Sequence, residues 1–195
     1  MRPTLLLLTL LASCCAWAGP FGVEMGDKRD DPKFDGFDGE GSWLRRGENP
    51  PEPHPYLEHY TVTFSDKYGA CTVLGAGSSE EDDRYGLKTK ETVDWLAKQI
   101  SSKYGKPKAL TDEALPNSEW AGPENWTKAI AKRERTYEYE WEPKGRPNRV
   151  QRIYVAATGY FTFDDKPVGM VGVKFVFANI DACEAEDIAR GAEAF

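Results

Sequence analysis

Apolar and polar residues alternate over much of the chain beyond residue 56, and where alternation stops a helical period replaces it. In EHYTVTFS (58–65), Tyr60, Val62 and Phe64 alternate with polar neighbours, as on a strand with one buried face. The turn DKYGA leads into CTVLGAG (71–77), so the spacing predicts a hairpin over 58–77. Val93, Leu96, Ala97, Ile100 and Tyr104 then form one apolar stripe at helical spacing, predicting a helix over 88–104. Glu91 and Asp94 sit toward its start and Lys103 at its end, as the helix dipole favours, and Gly105 and Pro107 stop it. A shorter helix is predicted over 124–134, behind Pro123. TYEYEWE (136–142) sets Tyr137, Tyr139 and Trp141 against Glu138, Glu140 and Glu142. RVQRIYVAATG, YFTF and VGMVGVKFVFAN complete a sheet, and residues 181–192 read as a closing helix carrying Cys183. The order β-β-α-α-β-β-β-α predicts an α+β domain. Its mainly antiparallel sheet has about five strands, with two or three helices packed on one face.

The chain ahead of this region follows neither period. Residues 19–56 are rich in Asp, Gly and Pro, and NPPEPHPY favours extended polyproline II backbone. They read as an irregular arm joined to a domain at 57–195, pinned by Phe21, Phe34, Phe37 and Trp43. Ahead of the arm, Arg2 precedes an apolar run from Leu5 to Ala12, the shape of an export signal and too short to cross a bilayer. Ala16-Trp17-Ala18 is a small-x-small cleavage pattern, which predicts a signal peptide over 1–18 and a mature chain from Gly19. Leu11-Ala12-Ser13-Cys14 is the competing reading. It resembles a lipoprotein box in which Cys14 becomes the acylated first residue.

Charge and cysteine content narrow the picture. The 195 residues carry a formal net charge of −7. An acidic chain without clustered Lys and Arg does not bind a phosphate backbone, and it offers no polybasic patch to anionic lipid. No second apolar run reaches transmembrane length. A cut after Ala18 removes Cys14 and Cys15 and leaves Cys71 and Cys183. In an exported chain that pair reads as a structural disulfide. It closes a loop of more than a hundred residues, for which chain entropy gives about 4 to 5 kcal/mol.

Several chemical motifs fail on inspection. The Glu138, Glu140, Glu142 row has the spacing of paired glycosidase carboxylates, but Arg149 and Arg152 on the next strand predict cross-strand ion pairs instead. LGAGSSEEDD (74–83) lacks the third glycine and the lysine of phosphate loops. DPKFDGFDGEGS (31–42) places Lys33 and Ser42 where a calcium loop needs acids. His54 and His59 have no Cys or acid cluster beside them, so neither a metal site nor a cofactor is expected, and no catalytic residue is assigned. Trp120 and Trp126, in NSEWAGPENW, are candidate binding aromatics, with burial in the core as the competing reading.

AGPFGVEMG (18–26), CTVLGAGSS, SSKYGKPK and FVFANIDAC together resemble a set of uncharacterised exported bacterial proteins. These share a PFGxxMG opening after the signal, a strand-borne cysteine, a KYGKP helix end and a late F-N-x-x-x-C. The chain departs from them at Asp27-Lys28-Arg29, in place of a small amphipathic helix. The resemblance implies a bacterial envelope location and no defined activity. The expectation is a periplasmic or secreted, non-catalytic domain that binds an envelope protein or glycan. The alternatives are a carboxylate-based hydrolase of cell-wall glycans and, if Cys14 is acylated, a lipid-anchored structural envelope protein.

Overall fold

A computed structural model describes residues 19–38, 44–77 and 82–192. The predicted signal peptide with Ala18 and Cys14, Trp43, and residues 78–81 of the acidic loop lie outside the described residues. Among the described residues seven antiparallel strands form one sheet: β1 (Leu44–Gly47), β2 (Leu57–Ser65), β3 (Gly69–Gly77), β4 (Ala109–Ala114), β5 (Arg135–Trp141), β6 (Val150–Phe161) and β7 (Pro167–Phe177). Their spatial order is β1-β2-β3-β7-β6-β5-β4. The helices are α1 (Leu87–Tyr104), α2 (Trp126–Ala131) and α3 (Ile180–Ala192). The mixed α+β single domain is as expected, but the strands number seven rather than about five.

The two additional strands are the two edges. β4 pairs only with β5, from Ala109↔Glu140 to Ala114↔Arg135. β1 pairs with β2 from Leu44↔Thr63 to Gly47↔Tyr60, and so turns part of the supposed irregular arm into sheet. Alternation sends Tyr60, Val62 and Phe64 of β2, Val73 of β3, Ile153 and Val155 of β6, and Val173 and Phe175 of β7 to one buried face. α1 and α2 cover this face over β5–β7, through Val93, Leu96, Trp126 and Ile130.

The arm covers the same face over β2 and β3. Phe34, in a short 3-10 turn that Asp31 caps, packs edge-on against Phe37 at 5.7 Å and Phe64 at 5.2 Å. Val23, Phe34 and Phe37 are all essentially inaccessible. The described residues 19–38 are therefore a structural wall of the domain, not an appendage with a few pins. Without them the β2–β3 half of the sheet would face water with its aromatic side.

α3 lies on the opposite face, which corrects the expectation that the helices share one. Thr63 and Ser65, the outward residues of β2, line the crevice it makes with Ile180 and Cys183. Val176, one step out of phase with Val173 and Phe175 on β7, packs there with Cys71, Ile180 and Cys183. Cys71 reaches this face because the β2–β3 register slips beside it, from Thr63↔Thr72 to Phe64↔Ala70. The Cys71 and Cys183 sulfurs are at bonding distance, 2.07 Å, with Cα atoms 6.4 Å apart. The bond clamps α3 to the sheet.

Helix entry is fixed from outside the helix. Gly86 takes a left-handed φ of 67° at the head of α1, and no side chain caps from that position. Asp83 supplies the cap instead, its buried carboxylate accepting from Thr89 N and Thr89 Oγ, both at 2.9 Å. At the other end Trp141 Nε1 donates to Gly105 O at 2.9 Å and ties the end of α1 to β5.

Candidate binding site

The arm, the last two turns of α1 and the buried sheet face do not close completely on one another. Between them lies a cavity of about 200 Å³. Its walls are apolar, formed by Phe21 from the arm, Leu57 from β2, Leu96, Ile100 and Tyr104 from α1, and Phe175 from β7. Its polar groups are Glu52 and His54 from the proline-rich stretch and Gln99 and Lys103 from α1. An apolar hollow with a few convergent polar groups is the general form of a ligand site.

The arm's side of this cavity is built under constraint. Pro20–Gly22 form a 3-10 turn in which Phe21 stands at φ 57°, the left-handed region that a bulky side chain avoids. The Phe21 ring is wedged edge-on against Tyr60 at 5.1 Å and Phe175 at 5.5 Å. Gly19 and Pro20 are buried beside it. A Cβ on Gly19 would fall 1.9 Å from Val23 O, so no other residue fits there without the turn moving. The proline-rich stretch is fastened to Tyr60, whose hydroxyl accepts from His54 N at 2.8 Å and donates to Leu57 O at 3.1 Å. Burial raises the Tyr60 pKa.

On the helix side, the Tyr104 ring lies 5.9 Å from Phe175. Its hydroxyl is sealed from solvent and has no hydrogen-bond partner among the described residues. Burial pushes the Tyr104 pKa up to about 12, so the group is a neutral donor at ordinary pH. Beside His54, a lining residue, two aromatic rings gather, Tyr56 and Trp95. Trp95 lies 4.4 Å from Tyr56 and 6.1 Å from His54 between ring centres, and Tyr56 and Trp95 remain 53% and 38% exposed.

The sequence-derived candidates are distributed differently. Trp126 is 1% exposed, packed edge-on to Tyr137 with Lys90 over its ring, and so is no surface anchor. Its indole enters the core because helix spacing aligns it with Ile130. Trp120 is half-buried, with Lys128 Nζ 3.5 Å from its ring centre. Glu138 and Glu140 lie on the sheet face away from α1, opposite Ala156 and Tyr154. Their cation is not Arg149 or Arg152. Lys108 Nζ sits 2.5 Å from Glu142 and 3.8 Å from Glu140. Burial raises the Glu138 pKa, with Glu140 adding to the effect and Lys174 opposing it. The two carboxylates project side by side from one strand rather than facing each other across a cleft.

Asp31 is occupied as the cap of its own turn, accepting from Lys33 N. Among the described residues no three His, Cys, Asp or Glu side chains gather as a metal site. No helix there is long and apolar enough to cross a membrane. Sequence reasoning missed Tyr56, Trp95 and Tyr104 as site residues. One signal was available: Trp95 falls outside the Val93, Leu96, Ala97, Ile100 stripe, so a helix packed on that stripe must present a tryptophan to solvent.

The chain matches no protein-family model, and no curated protein or solved structure matches it either.

Proposed function

We propose that this chain is an exported, non-catalytic binding domain of the cell envelope, and that it engages a glycan at the exposed aromatic pair Tyr56 and Trp95 beside its arm. The observation that carries this reading is the exposed Tyr56–Trp95 pair, 4.4 Å between ring centres, with the His54 ring 6.1 Å from Trp95. The C–H face of a sugar ring packs well on an aromatic face, while its hydroxyls need donors and acceptors close around that face. The aromatic pair offers the face, and His54 beside it offers a polar ring. The net charge of −7 disfavours polyanionic ligands.

The export reading is supported by the disulfide, a bond that persists outside the reducing cytosol. The hydrolase alternative loses support from the side-by-side arrangement of Glu138 and Glu140.

The test is retention of the exported protein on insoluble cell-wall glycan, compared with a Tyr56→Ala, Trp95→Ala double variant. Retention of the wild type and release of the folded variant is the expected result. Equal retention of both would remove the aromatic pair from consideration.

A further inference from the structure

We infer that the cavity beneath Phe21 receives the Phe163 ring of a second copy of this chain, so that the tip of the β6–β7 hairpin and the hollow under the arm are the two halves of one head-to-tail contact. The inference goes beyond the glycan reading and uses neither Tyr56 nor Trp95.

The hairpin tip supplies the first half. Phe163 is 111% exposed. A lone apolar side chain on a surface is ordinary, but this one stands on a fixed turn. Thr162 N donates to Lys166 O and Asp165 N donates to Thr162 O, both at 3.0 Å. Lys166 N donates to Thr162 Oγ1 at 3.2 Å, and Asp165 takes a left-handed φ of 58° to complete the turn. The strand ladder below it runs to Phe161↔Pro167, so the Phe163 ring is presented beyond the end of the sheet.

The cavity supplies the second half. An apolar hole of about 150 Å³ takes up benzene, and this one offers about 200 Å³. Leu57, Leu96, Ile100, Val173 and Phe175 suit a phenyl ring, which has no polar atom to leave unpaired and asks nothing of the sealed Tyr104 hydroxyl. The charged borders match as well. Asp164, Asp165 and Lys166 follow Phe163 at the tip, while Lys103 and Glu52 stand at the cavity, each sign opposite a partner. The tip cannot reach the cavity of its own chain. Val173 and Phe175 lie six and eight residues beyond Pro167 on β7, about 20 to 26 Å along an extended strand. The turn that fixes Phe163 allows no such return, so the cavity it enters is another copy's, and the contact is heterologous. One side chain in one hole makes a small interface, so the association is weak and shows itself at high concentration.

The experiment is sedimentation equilibrium of the oxidised, exported chain from ~10 μM to ~1 mM, repeated on Phe163→Ala and on Ile100→Phe. Phe163→Ala removes the ring from an exposed turn, and Ile100→Phe fills the cavity from its own wall. The expected result is self-association of the wild type with a Kd below ~1 mM, weakened at least about tenfold in either variant. An equimolar mixture of the two variants pairs again with wild-type affinity, because one keeps the cavity and the other keeps the tip. Saturating toluene, a free ring of the same size, dissociates the wild type, which tests the cavity even where Ile100→Phe does not fold. A wild type that stays monomeric to ~1 mM overturns the inference, and so does association that Phe163→Ala leaves unchanged. Association that depends on Phe163 but is indifferent to toluene overturns the cavity as its seat. Each of these outcomes leaves the glycan reading to its own retention test.

Discussion

A Cβ placed on Gly86 would lie 1.8 Å from Cε3 of Trp126. The head of α1 and the start of α2 thus meet at a point with room for a hydrogen only. Gly86 also stands at φ 67°. Gly86→Ala therefore suffers twice, from left-handed strain of about 1 kcal/mol or more and from overpacking of about 1 to 3 kcal/mol. Urea unfolding should show the midpoint falling with the slope unchanged. A shift below about 0.5 kcal/mol would mean that Trp126 is free to move.

The arm is predicted to be as stabilising as any core element. Phe34 is 1% exposed and touches both Phe37 and Phe64 edge-on. Phe34→Ala should lose about 3 to 5 kcal/mol, the range for a buried phenylalanine. A surface-like loss of a few tenths of a kcal/mol, measured by thermal or urea unfolding, would return the arm to the status of a linker.

Asp94 locks α1 to β5. Its Oδ1 accepts from the Tyr137 hydroxyl at 2.7 Å and from the Tyr139 hydroxyl at 3.0 Å. Asp94→Ala strands two hydroxyls at once and should cost about 2 to 4 kcal/mol. Tyr139→Phe removes one donor and should cost about 1 kcal/mol. A double-mutant cycle between positions 94 and 139 should give a coupling well above zero; additive losses would contradict a shared network.

Alkaline pH should destabilise the domain before it denatures it outright. The pKa values of Tyr60, Tyr104, Tyr137 and Tyr139 are all raised, chiefly by burial, and that of Tyr104 reaches about 12. A phenol whose folded pKa is raised binds its proton more tightly when folded. Its contribution is full below the unfolded value near 10 and is lost as pH climbs from there toward the folded value. Unfolding free energy should hold steady around pH 8 to 9 and fall between about 10 and 12. Tyr104→Phe should flatten that fall. An identical slope in the variant, followed by denaturant titration, would mean that Tyr104 ionises freely.

Removing the disulfide should loosen one end of the molecule more than the rest. Replacing Cys71 and Cys183 with serine opens a loop of 112 residues and should cost about 2 to 5 kcal/mol. Hydrogen exchange should rise first in α3, which meets the sheet through the small Cys71, Val176, Ile180, Cys183 cluster. Uniform exchange across all elements would assign the bond a purely global role.

The elements legible in the sequence are those with one wet and one dry face. β2 and β5 alternate because α1, α2 or the arm covers one side, and α1 shows its stripe for the same reason. The edge strand β4 reads ALTDEA, with its residues exposed or half-exposed, so burial imprints no alternation on it. β1 is four residues long and exists through its pairing with β2. The predicted helix over 124–134 shortens to Trp126–Ala131 because Arg133 turns left-handed at φ 58°. The Cys71–Cys183 disulfide was legible by elimination, because the predicted signal peptide carries the other two cysteines. The cavity was not, because it gathers Phe21, His54, Tyr104 and Phe175 from four separate segments and belongs to no local pattern.

The strand order places the last-made strand in the middle of the sheet, with β7 between β3 and β6. As the polypeptide emerges, β1-β2-β3 and β4-β5-β6 can form only as two separate ribbons, each with a hydrogen-bonding edge left open. They become one sheet when Pro167–Phe177 slots between them. A ribosome that stalls, or a protease that cuts, ahead of Pro167 would leave two adhesive half-sheets rather than a smaller stable domain. The protein is therefore most vulnerable to misassembly late in its own synthesis, and a partner that shields open strand edges during transit would matter most at that moment.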